Sequence, residues 1–171
     1  YNTRVLLQAA RGAVGFSATG SVLQLATCSI EAGNTEEFLY LFRLENSNAY
    51  VFTNHLTAGK SDDFLVAKLT GGNMKWFCNS GSFKGGRERS ISFELNNTAF
   101  LSLINSIMVQ TETAKSGSFF SAPRLEQIES LSNNIHGWGA VLETTKGIIA
   151  DVDSLNDSDD NPLGGRLHGN I

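Results

Sequence analysis

The chain has 171 residues, 41% of them hydrophobic and 18% charged, with 17 glycines and 2 prolines. That is the make-up of one folded domain and excludes a disordered, collagen-like or low-complexity segment. Thirteen basic against 17 acidic side chains give a formal charge of −4, which leaves no basic field to gather phosphate backbones and argues against nucleic-acid binding. No apolar run reaches the roughly 18 residues that cross a bilayer, and no charged-then-apolar leader precedes Tyr1, so the expectation is a soluble chain.

Residues 1–20 read as a helix, because Val5, Leu6, Ala9, Ala10, Ala13 and Val14 recur every three to four positions and would form its packing face. From 21 to 95 the period becomes two, as in Phe38, Tyr40, Phe42 and Leu44. Asn46-Ser47-Asn48 and Gly71-Gly72-Asn73 tolerate positive φ, so the economical reading is two hairpins in an antiparallel sheet, followed by a glycine-rich loop over 80–86 and a strand over 89–95. Residues 96–150 read as short helices and loops. Phe100, Leu101, Ile104, Ile107 and Met108 have helical spacing behind an Asn97 or Thr98 cap; 111–121 is a polar loop; Leu125, Ile128 and Leu131 follow Pro123 in a second short helix. The stretch 151–171 is an acidic, glycine-rich C-terminal loop. The fold class expected is α+β in a single domain, an N-terminal helix packed on an antiparallel β-sheet.

Cys28 and Cys78 lie fifty positions apart, without the close spacing of a zinc or redox pair. Two readings stay open: two buried small hydrophobes, or one disulfide. A bridge would contribute on the order of 4 kcal/mol and place the protein outside the reducing cytosol. Asp151, Asp153, Asp157, Asp159 and Asp160 concentrate hard oxygen ligands in one loop, as calcium requires, although the spacing is not that of a helix-loop-helix calcium site. The alternative is a solvated acidic loop.

His55, His136 and His168 stand far apart in sequence, and Ser17, Ser80 and Ser82 lack a nucleophile elbow, so acid–base and nucleophilic catalysis have no local support. Trp76, Phe77 and Phe83, interleaved with Lys75, Lys84, Arg87 and Arg89, suggest a stacking surface for sugars or nucleotides; alternation along a strand puts at least one of them in the core.

The two ends of the chain resemble a type IV pilin or pseudopilin that lacks its hydrophobic N-terminal half-helix. Tyr1 to Ala18, with its Tyr-x-x-Arg start and alanine stripe, is similar to the globular half of a pilin helix, and Asp153 to Leu167 is similar to the acidic, glycine- and proline-containing pattern near pilin C-termini. The resemblance implies a non-enzymatic structural subunit of an extracellular or cell-surface filament, periplasm-facing before assembly and concerned with adhesion or secretion. Its partners would be other filament subunits, with membrane contact only through the missing helix and no cofactor except calcium held by the five aspartates. Two other classes remain: a virion or phage-tail structural β-domain, and a carbohydrate-binding β-domain, which would need Trp76 or Trp138 exposed beside polar groups.

Overall fold

The computed structural model describes residues 3–112, 114–122, 127–131, 133–138, 140–143 and 167–168. Every regular element among them is a strand: β1 (Thr3–Leu7), β2 (Gly12–Thr19), β3 (Val22–Ala26), β4 (Cys28–Ala32), β5 (Phe38–Phe52), β6 (His55–Phe77), β7 (Ser80–Asn96), β8 (Phe100–Ile104), β9 (Ile107–Gln110), β10 (Ser116–Ser121), β11 (Gln127–Leu131), β12 (Asn134–His136), β13 (Ala140–Glu143) and β14 (Leu167–His168). Apart from β11 with β14, each pairing is parallel. The chain is a parallel β-solenoid. Phe38 pairs with Asp63 and Asp63 with Arg89, so the chain comes back to the same place once per coil. Asn73, Phe100 and Gln127 mark the same return on another side of the coil, at a slightly longer interval.

Each coil contributes to three faces. Face 1 stacks β2, 38–45, 63–70, 89–96 and β10. Face 2 stacks β3, 48–52, 73–77, β8 and β11. Face 3 stacks β1, β4, the start of β6, the start of β7, β9 and β12.

This architecture overturns the α+β expectation. Val5, Leu6, Ala13 and Val14 lie on β1 and β2, with Ala9 and Ala10 between the strands, and Leu6 is 54% exposed. They form no common face. A pilin needs a helix packed on a sheet, so the pilin resemblance falls with the helix. The expected hairpin turns are corners instead: Asn46 and Gly71 take positive φ, and the chain bends from face 1 to face 2 rather than reversing. The helices expected around 97–108 and 121–131 are β8, β9 and β11, and much of the loop over 111–121 is β10. The strand expected over 89–95 is present, within β7, but its neighbours are parallel.

Parallel stacking puts equivalent residues of successive coils in columns, and the interior is filled by such columns. Phe16, Phe42, Ala67, Phe93 and Phe120 form one of them. Phe16 and Phe42 stack at 5.2 Å. The small side chain of Ala67 leaves room that the indole of Trp76 fills, edge-on to Phe42 at 5.7 Å and to Phe93 at 5.4 Å. Packing in this core is thus complementary between faces as well as along them.

A second column is polar. Cys28, Asn54, Asn79, Ser106 and Asn133 follow one another at the corner between faces 2 and 3. The residues just before four of them, Thr27, Thr53, Cys78 and Asn105, all have φ between 50 and 54°, a conformation that costs a non-glycine residue about 1–2 kcal/mol. What makes the corner tolerable is the ladder. The backbone N–H of each member donates to the side chain of the next: Cys28 to Asn54, Asn54 to Asn79, Asn79 to Ser106 and Ser106 to Asn133, at 2.8–3.2 Å. The amide Nδ2 groups of Asn54, Asn79 and Asn133 turn back to the carbonyls of Leu25, Val51 and Leu103. Buried backbone groups at the bend are thereby satisfied.

The disulfide reading is corrected by the same geometry. Cys28 is a half-buried member of this ladder, whereas Cys78 is an exposed corner residue two coils further on, and both thiols are free. The five C-terminal aspartates, Asp151, Asp153, Asp157, Asp159 and Asp160, lie outside the described residues.

Candidate functional site

Inward side chains on face 2 build the core, so the alternate residues of each strand point away from it. Three outward columns result: Val22, Asn48, Asn73 and Phe100; Gln24, Tyr50, Lys75, Ser102 and Glu129; Ala26, Phe52, Phe77 and Ile104. Four of these residues are aromatic. Tyr50, Phe52, Phe77 and Phe100 are each half-buried, with Tyr50 and Phe52 at 6.2 Å and Phe52 and Phe77 at 5.5 Å between ring centroids.

Between Tyr50 and Phe100 lies a half-open groove of about 320 Å³, lined also by Asn48, Ala49, Asn73 and Lys75. The Asn73 amide Nδ2 donates to Asn48 Oδ1 at 2.8 Å, which orients the two amides side by side. The Asn48 amide N–H groups and the Asn73 carbonyl oxygen are then left for a ligand. The Lys75 ammonium sits 5.9 Å from the centroid of the Tyr50 ring, a distance at which the ring quadrupole attracts it. Aromatic faces beside amide donors and acceptors match the two-sided chemistry of a sugar, whose C–H faces stack and whose hydroxyls hydrogen-bond.

Trp76 and Trp138, the aromatics that the sequence offered for this purpose, are 0% and 6% exposed. Trp138 packs on Phe64, Phe83 and Phe119. Phe83 is equally buried. Of the expected stacking set, Lys75 and Phe77 lie on the outer surface of face 2. Tyr50, Phe100, Asn48 and Asn73 escape a linear reading because they come from three successive coils.

Face 1 carries a different cluster. The Tyr40 hydroxyl donates to Asp63 Oδ2 at 2.6 Å, Arg89 lies 3.4 Å from Asp63 Oδ1 and also bonds Glu94, and Lys68 reaches Glu94 at 2.6 Å. Burial and the bond to Asp63 push the Tyr40 phenol upward. Burial also works against the Glu94 charge, yet the hydrogen bonds from Lys68 and Arg89 outweigh it and hold that carboxyl below the usual carboxylate range. Every charge here is matched, as in a structural ion-pair network.

His55 and Ser80, distant in sequence, meet on face 3 with Nδ1 to Oγ at 2.9 Å. His55 is exposed, and the neighbouring carboxylate, Glu31, is held by two hydrogen bonds from Arg4, so the pair is not backed by an orienting acid. Ser17 and Ser82 are exposed on separate faces, His136 is half-buried on β12, and His168 belongs to β14. Among the described residues no cluster of three or more histidine, cysteine or acidic side chains could hold a metal ion. No helix among them is long and apolar enough to cross a membrane. No family model, curated protein or solved structure matches the chain.

Proposed function

We propose that the chain is a non-enzymatic carbohydrate-binding module, a rigid β-solenoid that holds glycan chains against face 2 as part of an extracellular or virion-surface protein. The observation that carries this reading is the groove lined by Tyr50 and Phe100 together with the hydrogen-bonded Asn48 and Asn73 amides. A solenoid suits the task because its columns repeat at about 4.8 Å along one axis, so binding groups are presented in a line, as an extended polymer needs. The test is calorimetric titration with a panel of neutral and acidic oligosaccharides, repeated with Tyr50→Ala and Phe100→Ala. Binding that both substitutions abolish supports the reading; no binding across the panel, or binding that survives both, overturns it.

A second reading, a building block of a virion or tail fibre, has one specific observation in its favour. Among the described residues β1, β2 and β3 pair along one edge only, and Phe16, Leu23 and Leu25 beside those edges are only partly buried. Open strand edges next to apolar side chains invite another coil. Sedimentation velocity over a hundredfold range of concentration would show growing species if this were so, and a constant monomer if not.

A further inference from the structure

Resting on the glycan-binding reading of face 2, we infer that the groove selects carbohydrates that carry a carboxylate. Of the residues lining it, Asn48, Ala49, Tyr50, Asn73 and Phe100 are neutral, and Lys75 supplies the single charge. Lys60, Lys68 and Lys115 spend their charge inside the protein, on Glu112, Glu94 and Glu88. Lys75 and Lys84 have no such ion pair among the described residues, and of these two Lys75 lines the groove. The Lys75 ammonium contacts the Tyr50 ring, and among the described residues no carboxylate lies within 4.0 Å of it, the reach of an ion pair. Contact with an aromatic face steadies an ammonium without neutralising it. The position of the charge, at the edge of a groove whose amides and rings suit sugar hydroxyls and ring faces, fits an acidic sugar: carboxylate on Lys75, hydroxyls on Asn48 and Asn73, the ring against Tyr50 or Phe100.

The test compares oligogalacturonate and a sialic acid oligomer with their methyl esters, which keep the sugars and remove the charge, together with a sulfated oligosaccharide. All are titrated into the native chain, Lys75→Met, and the Tyr50→Ala and Phe100→Ala variants. Lys75 is exposed, and circular dichroism checks that its variant keeps the strand signal. The expected result is that an acid binds about tenfold more tightly than its ester, that added salt erodes the difference, and that in Lys75→Met acid and ester bind alike. Equal binding of acid and ester, or a preference that Lys75→Met leaves in place, overturns the inference and leaves glycan binding standing. Tighter binding of the sulfated sugar than of either acid also overturns the carboxylate assignment. Loss of binding to every probe, or binding that survives Tyr50→Ala and Phe100→Ala, defeats the glycan reading itself.

Discussion

Asn79 Oδ1 accepts two hydrogen bonds from Asn54, one from its backbone N–H at 2.8 Å and one from its side-chain Nδ2 at 2.9 Å. One oxygen thus ties a bend of one coil to the bend of the next. Asn79→Ala would remove the partner of the Asn54 backbone N–H, one of the two bonds of its Nδ2 and the Asn79 bond to the Val51 carbonyl, all in a buried place. The expected loss is about 2–3 kcal/mol, read as a lower urea midpoint at unchanged slope. Asn79→Ser, which copies the residue present at Ser106, should recover part of that loss.

Trp76 tests the packing between faces. Its indole fills the space over Ala67, while its Nε1 is buried without an acceptor among the described residues. Trp76→Ala should cost about 3–5 kcal/mol through the cavity it opens. Trp76→Phe keeps most of the ring and removes the unpaired N–H, so its cost should stay below about 1.5 kcal/mol. Ala67→Leu, forced into the same space, should destabilise by about 1–3 kcal/mol. Thermal or urea unfolding of the three variants separates these outcomes.

Two corner glycines at positive φ predict opposite sensitivities. At Gly72 (φ +78°) an added Cβ would lie 2.2 Å from the Ser47 carbonyl oxygen, whereas at Gly20 (φ +59°) it would meet nothing within 4 Å. Gly20→Ala should therefore cost only the backbone strain of about 1 kcal/mol. Gly72→Ala adds a backbone clash and should lower the melting temperature several times further.

Glu94 gives a pH dependence of known sign. Its carboxyl titrates in the folded chain below the ordinary value of 4.5, so its contribution is full above about pH 4.5 and is lost as pH falls through the folded value. In Glu94→Gln the native chain should lose about 1 kcal/mol at pH 7 after allowance for screening of the partly exposed Lys68 and Arg89. The difference from the native protein should shrink on acidification below pH ~4. A gap in melting temperature that widens toward acid would contradict the assignment.

The thiols make a direct check of the column geometry. Alkylation without reductant should add two groups, with Cys78 modified faster than Cys28, because one is exposed and the other half-buried. Intact mass against time reads both points; a species that resists alkylation until reduced would restore the bridge.

The strand character of 38–44, 64–69 and 89–95 is legible in the sequence, since large apolar residues recur there at every second position, as in Ile91, Phe93 and Leu95. Strand direction is not. A corner and a hairpin use the same residues, so Asn46 and Gly71 with their positive φ look alike in either case, and what distinguishes them is a pairing partner a whole coil away. The repeat itself is hidden because a column preserves only the kind of side chain. Cys28, Asn54, Asn79, Ser106 and Asn133 share a role without sharing an identity. The false helices have a related cause. Apolar residues of two short strands joined across a bend, as Phe100, Leu101 and Ile104 on β8 with Ile107 and Met108 on β9, imitate the spacing of a helix face. The groove on face 2 is only partly visible in the sequence: Lys75 stands in the expected cluster, but Tyr50 and Phe100 join it only when coils stack.

Successive coils differ slightly in length, as the steps from Phe38 to Asp63, from Asp63 to Arg89 and from Asn73 to Phe100 show, and this bears on how such a chain tolerates insertion and loss. A single residue gained or lost within a strand would turn every following side chain over, apolar groups outward, until the next bend. Added at a bend, it is absorbed there, as the connection from Asn96 to Phe100, longer than those from Glu45 to Asn48 and from Thr70 to Asn73, shows. Whole turns are thus the natural unit by which this molecule can lengthen or shorten, each one carrying its own share of asparagine hinge, hydrocarbon filling and outward display.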